Sequence, residues 1–290
     1  MTLLGFSDYR EVAMRIAALL DVPYAEIILH TFPDGETRVT LPNKLPERVA
    51  ICRTLNNPNE KLIQLLLAAK SSRVLGVKHL MLIAPYLCYM RQDKAFHTGE
   101  AVSQVIIGEW LAQQFDSVIT VDPHLHRIHA LAEAVPASSA IALSAAKLMG
   151  HFVRAQNTSA ILLGPDEESR QWVSVAAEAA VCQFGVCRKV RHGDREAAIE
   201  LPDIAIKGQH LILIDDIASS GGTLISAARA CISSGAKKVD VLVVHALFKD
   251  DIARQLHAAV VSNIWSSDSV IHPSNVLSLA PLIAAGLNVC

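Results

Sequence analysis

Residues 211–224 read LILIDDIASSGGTL. Four apolar residues lead into two adjacent aspartates, Asp215 and Asp216, and a run of small and hydroxyl residues separates these from an alanine-rich helical pattern. A buried strand that passes through a short loop into a helix is the repeating unit of parallel α/β sheets. Such sheets bind ligands beyond the carboxyl ends of their strands. The stretch therefore predicts an α/β fold with a ligand site at this loop.

The rest of the chain repeats this alternation of strand and helix. We predict strands at 27–29, 48–53, 79–84, 118–121, 160–163, 210–214 and 239–245. We predict helices at 9–20, 60–74, 100–114, 142–154, 170–183, 223–234 and 250–259. The runs LMLIA and VLVVHAL are almost wholly apolar, as in parallel strands that are covered on both faces. Because VPASS at 135–139 interrupts the pattern, we predict two mostly parallel α/β domains, over residues 1–141 and 142–290.

The composition excludes several classes of protein. Of the 290 residues 51% are hydrophobic, yet no apolar run reaches the ~18 residues of a membrane span. The N-terminal residues carry no basic segment before an apolar core, so we expect no secretory signal. A net charge of −2 leaves no basic footprint for nucleic acid. The six cysteines lack zinc-site spacing, so we expect buried thiols in a soluble, cytoplasmic protein.

The loop of the opening stretch has the residues of an anion site, and these are Ser219, Ser220, Gly221, Gly222 and Thr223. Glycines let the backbone approach a ligand closely, and the following helix directs its positive dipole end at the loop. The Walker pattern is absent, so the stretch predicts a site for a single phosphate, although an ordinary capped helix would look similar. Asp215 and Asp216 would repel that phosphate, but carboxylates accept hydrogen bonds from sugar hydroxyls. A sugar phosphate accounts for both features.

The Asp-Asp pair followed by hydroxyl, Gly-Gly and Thr resembles the phosphoribosyl-pyrophosphate motif. Two families share this motif, the type I phosphoribosyltransferases and the ribose-phosphate diphosphokinases (PRPP synthetases). The resemblance implies that Asp215, Asp216 and residues 219–223 bind ribose 5-phosphate, and that each domain has the type I phosphoribosyltransferase-like fold.

HTFPDGETRV at 30–39 resembles the ATP-binding hairpin of the synthetases, which the transferases lack. By this resemblance Phe32, Asp34 and Glu36 hold adenine and ribose. Pro-Asp-Gly is also an ordinary turn signal, so alone the stretch would predict only a turn.

PYLCYMRQDKAFHTGEAVS at 85–103 resembles the Tyr-Ala-Arg-Gln-Asp segment of the same family, with Met90 in place of alanine. Arg91 and Gln92 then correspond to ATP-binding residues, although a solvated loop would also suit an Arg-Gln pair. Phe96 and Gly99-Glu100 make the segment more similar to archaeal-type synthetases.

VITVDPHLHRI at 118–128 and LLGPDEES at 162–169 resemble two further loops of the family. The resemblance implies that His124 lies near the metal and the ATP phosphates, and that Asp166 binds Mg²⁺. The family usually has glycines at part of the segment 167–169, where this chain reads Glu-Glu-Ser. Considered separately, the two residues would equally suit a surface histidine and a helix cap.

GVCRKVRHGDREAAI at 185–199 resembles the mobile catalytic loop with its Lys-x-Arg pair, and here the pair is Lys189 and Arg191. On an extended segment, residues two apart share a face, so both cations can reach one anion. A basic run is otherwise most often a solvated loop.

The motifs occur in the family's order over essentially the whole chain, so the resemblance implies a ribose-phosphate diphosphokinase. Such an enzyme moves the β,γ-diphosphate of ATP to the 1-hydroxyl of ribose 5-phosphate with Mg²⁺, and Lys189 and Arg191 stabilise the transferred charge. A non-catalytic regulatory relative is the alternative, whereas the hairpin at 30–39 argues against a phosphoribosyltransferase. Family members assemble, so we expect a homo-oligomer with its ATP site at a subunit interface. Many relatives have an acidic residue where this chain has Ser219, and we predict that no side-chain base acts there.

Overall fold

The computed structural model describes residues 1–125, 128, 130–156, 159–192 and 196–288. The strands are β1 (Thr2–Phe6), β2 (Tyr24–Thr31), β3 (Thr37–Thr40), β4 (Arg48–Cys52), β5 (His79–Ala84), β6 (Ser117–Val121), β7 (Ser139–Leu143), β8 (Ala160–Gly164), β9 (Phe184–Val186), β10 (Arg188–His192), β11 (Glu196–Glu200), β12 (His210–Ala218), β13 (Lys238–Ala246), β14 (Val261–Ser267) and β15 (Asn275–Leu277). The α-helices are α1 (Arg10–Leu19), α2 (Pro58–Val74), α3 (Ser103–Gln114), α4 (Leu131–Ala134), α5 (Ala146–Ala155), α6 (Arg170–Ala180), α7 (Gly222–Ser233), α8 (Asp250–Ala258) and α9 (Ala280–Asn288).

The chain forms two compact units. Unit 1 contains Met1–Leu143 and the segment from Ser278 onward, and unit 2 contains Ser144–Leu277. The division lies close to the boundary expected at 141/142, but the C-terminal segment, which the sequence assigned to the second domain, belongs to unit 1. Helix α9 packs against α1 there, and a Cβ on Gly286 would lie 2.8 Å from the Leu143 side chain. The exchange of the C-terminal segment is invisible in the local pattern because it depends on contacts with distant residues.

Unit 1 is built on a sheet with the strand order β3-β2-β1-β4-β5-β6-β7. Among the described strand pairs of this sheet, the β2–β3 hairpin is antiparallel, with Ile28 opposite Thr40, and the other pairs are parallel. The central strands β4 and β5 are buried over nearly their whole length, as their continuous apolar sequences require.

Unit 2 is built on a parallel sheet with the order β15-β14-β13-β12-β8-β9. Its core contains Leu211 and Leu213 from β12 and Val239, Val241 and Val243 from β13. Strands β10 and β11 form a separate antiparallel hairpin directly after β9. Loops that leave β8, β12 and β13 therefore meet at one edge, the carboxyl edge of this sheet.

Every predicted strand and helix corresponds to an observed element, with boundary shifts of a few residues. The strands that we did not predict are the first strand of the chain and mostly short, peripheral strands, such as β3, β9 and β15, which lack long apolar runs. Residues 142–143, which we placed in a helix, end the strand β7, and the helix begins at Ala146.

A single buried carboxylate joins three strands at the amino edge of the sheet in unit 2. Asp240 is 0% exposed. One carboxylate oxygen accepts from His210 Nε2 and Lys238 Nζ, each at 2.7 Å. The other accepts from the Asn263 backbone N at 2.9 Å and its Nδ2 at 3.0 Å. These four bonds compensate the desolvation of the charge and fix the starts of β12, β13 and β14 relative to one another.

Replacement of Asp240 by alanine should strongly destabilise the protein. The change leaves the His210, Lys238 and Asn263 donors without their acceptor, so we expect a loss of about 3–5 kcal/mol in the free energy of unfolding. Urea denaturation measures this loss, with Asp203→Ala as a control because Asp203 is exposed in the same unit. Equal unfolding midpoints for the two variants would contradict the anchoring role of Asp240.

Candidate active site

The carboxyl edge of the sheet in unit 2 gathers the acidic residues that the sequence singled out. Strand β12 continues to Ala218, so Asp215 and Asp216 lie within the strand and not in the loop after it, where we expected them. Asp215 pairs in register with Val243 of β13, and its Oδ1 accepts a hydrogen bond from the Asp216 backbone N at 3.0 Å. Asp216 is buried, whereas Asp215 is partly accessible.

Asp215 is held in an unfavourable electrostatic environment. Burial raises its pKa well above the ordinary value, and the neighbouring carboxylates of Asp216 and Asp166 raise it further. A carboxylate that is desolvated and surrounded by like charges is a frequent mark of a functional site. The site is thus poised to receive a cation or a hydrogen-bond donor.

The loop after β12 has several features that suit a bound anion. Gly221 adopts φ +70° directly before α7, and a Cβ at this position would lie 2.5 Å from Ile252 Cγ2 of helix α8. A larger residue would therefore be strained by the positive φ and would have to displace the Ile252 side chain. Ser220 and Gly222 are exposed, while Ser219 and Thr223 are half-buried. The hydroxyl groups and the N-terminus of α7 lie on the same short segment, beside Asp215.

Asp166 lies in the loop after β8, where a short 3-10 turn over Glu167–Ser169 leads into α6. The Ser169 backbone N donates to Asp166 Oδ1 at 3.3 Å, and Ser169 Oγ donates to the Asp166 carbonyl at 2.5 Å. Ser169 is fully buried, and a Cβ on Gly164 would lie 2.3 Å from its Oγ. The departure from the family's glycines is accommodated by a serine that closes the loop through hydrogen bonds. Asp166 caps the turn and also contributes to the field at Asp215.

Lys189 and Arg191 lie on β10, in the hairpin that follows β9. The extended backbone needed for a Lys-x-Arg pair with a common face is present, with Lys189 opposite Ile199 and Arg191 opposite Ala197. The Lys189 side chain is exposed. The Arg191 side chain and the tip of the hairpin at 193–195 lie outside the described residues.

In unit 1 the segment 30–39 forms the hairpin that joins β2 and β3. The Phe32 backbone N donates to the Glu36 carbonyl at 2.8 Å, and the Glu36 backbone N donates to Asp34 Oδ1 at 3.1 Å. Gly35 adopts φ +91° in the turn. Phe32, Asp34 and Glu36 are all exposed, and the Phe32 ring packs edge-on against His30 at 4.8 Å. The turn thus presents the three candidate residues to solvent.

Hydrogen bonds hold the loop after β5 on both sides of its candidate residue Arg91, and the second candidate, Gln92, takes part in one of them. Gln92 Oε1 accepts from Ser103 Oγ at 3.1 Å, and Gln104 Nε2 donates to the Met90 carbonyl at 3.0 Å. Met90, which stands in place of the usual alanine, is buried. Arg91 is exposed on a loop whose neighbours are fixed by these bonds.

His124 follows β6 and is half-buried. It belongs to unit 1, whereas Asp166 belongs to unit 2. Within the described residues, no group of three or more His, Cys, Asp or Glu side chains could hold a metal ion by itself. A metal ion at Asp166 would therefore need additional ligands, such as substrate oxygens or water.

Sequence reasoning missed two polar groups near the site in unit 2. His245, buried at the end of β13, hydrogen-bonds through Nδ1 to Ser269 Oγ at 2.8 Å, and that hydroxyl donates to the Val244 carbonyl. Glu167 pairs with Arg170 and Arg188. The Glu167–Arg188 and His245–Ser269 contacts join residues 21 and 24 positions apart, so neither contact has a recognisable spacing along the chain.

The buried thiols are poor nucleophiles. Burial raises the pKa of Cys88, Cys187 and Cys231 to about 12. These cysteines therefore remain protonated near neutral pH, and they pack as small apolar side chains.

Comparison with known proteins identifies the family. Residues 1–114 match the model of the N-terminal domain of ribose phosphate pyrophosphokinase, and residues 132–274 match the phosphoribosyl transferase domain. The chain is 30% identical to a ribose-phosphate pyrophosphokinase of Methanopyrus kandleri, over 98% of this chain and 97% of the relative. It is 31% identical to ribose-phosphate pyrophosphokinase 2 of Archaeoglobus fulgidus, over 95% of this chain and 96% of the relative.

The chain therefore belongs to the ribose-phosphate pyrophosphokinase family, and its resemblance to archaeal members is confirmed. The crystal structure of phosphoribosylpyrophosphate synthetase from Mycobacterium smegmatis has the same fold, with a TM-score of 0.84, 21% identity and coverage of 99% of this chain and 97% of that one. This likeness and the domain matches confirm the predicted architecture of two phosphoribosyltransferase-like α/β domains. No helix among the described residues is long and apolar enough to cross a membrane.

Substitution of Asp215 by asparagine should stabilise the protein at high pH. The pKa of Asp215 is raised in the folded state, so ionisation of this carboxyl destabilises the fold as the pH rises above its ordinary pKa of 3.8. Asparagine keeps the acceptor for the Asp216 backbone N but carries no charge. We expect the melting temperature of D215N at pH 8, in EDTA, to exceed that of the wild type by a few degrees, about 2–4 °C per kcal/mol.

Near pH 4 this gain should largely disappear, because the wild-type carboxyl is then protonated in the folded state. Asp203→Asn removes an exposed charge of the same unit and serves as the control. If D215N melts at or below the wild-type temperature at pH 8, ionisation of Asp215 does not destabilise the folded protein.

Proposed function

We propose that the protein is a ribose-phosphate diphosphokinase that transfers the β,γ-diphosphate of ATP to the 1-hydroxyl of ribose 5-phosphate. The products are 5-phosphoribosyl 1-diphosphate and AMP, as in the reaction class EC 2.7.6.1. The observation that carries the proposal is a combination of features in unit 2. Carboxylates and a glycine-serine loop lie at the end of β12, and the Lys-x-Arg hairpin follows β9, which β8 separates from β12 in the same parallel sheet. Membership of the family supports the same activity.

In this proposal Asp215 and Asp216 accept hydrogen bonds from the ribose hydroxyls, and residues 219–223 hold the 5-phosphate. The order of these groups along β12 and into α7 suits a ligand with hydroxyls at one end and a phosphate at the other. The N-terminus of α7 supplies a favourable field for the phosphate. The close packing of Gly221 against the Ile252 side chain limits the conformations of this loop, which supports a preformed phosphate site.

For ATP we propose Phe32, Asp34, Glu36, Arg91 and Gln92, with His124 near the phosphates. Phe32 offers an exposed aromatic face, and Asp34 and Glu36 offer acceptors for hydroxyl groups. The exposure of all three on a hairpin tip suits a site that another subunit completes. That the protein forms a homo-oligomer is a prediction, and so is its location in the cytoplasm.

Mg²⁺ suits the residues of unit 2. Magnesium is commonly bound by one or two carboxylates together with substrate phosphates and water, and Asp166 lies close enough to Asp215 to raise the pKa of that carboxyl. We propose Asp166 as a ligand, directly or through water, and His124 as a second residue of the metal site. The bound ion would neutralise negative charge on the phosphate oxygens.

The remaining chemistry requires alignment and charge stabilisation more than covalent assistance. The sugar hydroxyl oxygen attacks the β-phosphorus, the bond between this phosphorus and the oxygen that stays with AMP breaks, and the hydroxyl proton is released. Lys189 and Arg191 stabilise the charge on the transferred diphosphate. Closure of the hairpin over the phosphates would exclude water, which would otherwise accept the diphosphate. The presence of Lys189 on an extended, exposed strand supports this role.

Incubation of the purified protein with ATP, Mg²⁺ and ribose 5-phosphate tests the proposal. We expect AMP and 5-phosphoribosyl 1-diphosphate in equal amounts, and no AMP when ribose 5-phosphate is omitted. Absence of AMP above background in the presence of inorganic phosphate would favour the non-catalytic regulatory alternative, which none of the structural observations supports.

Two substitutions test the absence of a side-chain base at position 219. We expect Ser219→Ala to lower kcat modestly, by less than about 10-fold, because serine contributes at most a hydrogen bond. We expect Lys189→Ala to lower kcat by about 100-fold or more, because it removes a charge that acts on the transition state. Steady-state formation of AMP measures both. Losses of equal size and several orders of magnitude would contradict the assignment.

A further inference from the structure

Three charged side chains form an ion cluster at the base of the Lys-x-Arg hairpin. Glu167 Oε2 accepts from Arg170 Nη2 at 3.2 Å, and Glu167 Oε1 accepts from Arg188 Nε at 3.2 Å. Glu167 belongs to the loop that carries Asp166, Arg170 begins α6, and Arg188 begins β10. The cluster therefore joins the loop that contains Asp166 to Arg188, the first residue of the hairpin.

The position of Glu167 is well defined although its side chain is solvated. It follows Asp166 in the 3-10 turn that Ser169 closes from beneath, and the paired Arg170 lies one helical turn further on. Glu167 therefore has its backbone in the hydrogen-bonded Asp166 loop, while its exposed side chain contacts Arg188.

The base of the hairpin is anchored from its other side by packing. The Cys187 backbone N donates to the Gly164 carbonyl at 2.8 Å, and a Cβ on Gly185 would lie 2.6 Å from Pro202 Cγ. Arg170, Arg188 and the segment 200–204 line a groove of about 510 Å³ beneath this base. Arg188 is the first residue of β10, and its side chain pairs with Glu167 directly after this anchored segment.

We propose that Glu167 is a positioning residue that orients Lys189 through Arg188. Successive side chains of a strand point to opposite faces, so a fixed Arg188 side chain fixes the opposite direction of the neighbouring Lys189. The inference rests on the proposed role of Lys189 in diphosphate transfer.

The modest strength of the cluster suits this task. The Glu167, Arg170 and Arg188 side chains are 51%, 56% and 71% exposed, and exposed ion pairs are weak and screened by salt. Such a contact favours one orientation of the hairpin without preventing the opening and closing that substrate exchange requires. Misplacement of a charged group by about 1 Å is enough to slow a reaction substantially.

Kinetic measurements on Glu167→Gln and Glu167→Ala test the inference. We expect kcat to fall by about 3- to 10-fold with the KM for ribose 5-phosphate unchanged, because the residues of that site are untouched. Added salt screens the ion pair in the wild type, so the difference in kcat between the wild type and the variants should become smaller as the salt concentration rises. The double variant E167R/R188E should recover part of the loss, because the reversed pair restores the contact.

Amide hydrogen exchange of residues 188–200, in the absence of substrates, gives a readout that does not depend on activity. We expect faster exchange at the base of the hairpin in both single variants and a return toward the wild-type rate in E167R/R188E. Glu47→Ala serves as the control, because Glu47 also forms an exposed ion pair, with Lys78 at 2.5 Å in unit 1.

The outcomes separate the two proposals. A wild-type protein that forms no AMP would refute the proposed function, whereas the exchange experiment would still report on the contact between Glu167 and Arg188. Variants with wild-type kcat and wild-type exchange would overturn the inference. It would also be overturned if kcat fell without faster exchange, or if E167R/R188E showed no recovery.

Discussion

Repulsion among carboxylates at the end of β12 is the constraint on which the site depends. Burial raises the pKa of Asp215, and the carboxylates of Asp216 and Asp166 at the same edge of the parallel sheet raise it further. Cations or hydrogen-bond donors would stabilise such a group of carboxylates. The adjoining glycine-serine loop, in contrast, is suited to an anion. The ligand that we propose, with hydroxyl groups and a phosphate and accompanied by a divalent cation, would suit both the carboxylates and the loop.

The same strands are strongly anchored at their opposite edge. Asp240 binds His210, Lys238 and Asn263 and thereby fixes the starts of three adjacent strands. The apolar core between the two edges holds the strands in register. Stability concentrated at the amino edge lets the carboxyl edge tolerate unfavourable charges without local unfolding, which is how strained functional groups persist in folded proteins.

Much of the fold could be predicted from the sequence, because the buried central strands read as continuous apolar runs and the helices as amphipathic patterns. The end of β12 could not, since two aspartates interrupt the apolar run although the chain remains paired with β13 as far as Ala218. The candidate site residues were also found in the sequence, by motif. Their surroundings were not: Ser169 replaces the expected glycine through hydrogen bonds that only the folded loop provides.

The sequence by itself determined the class of fold, the order of the motifs and the family, because each of these is written in residues that are close together along the chain. The tertiary structure alone decided the raised pKa of Asp215, the return of the C-terminal helix to unit 1 and the contact between Glu167 and Arg188, which lie 21 positions apart. These properties arise from burial and from charges that folding brings together across separate elements. No local pattern encodes them, because Coulomb interaction and desolvation depend on distance in space.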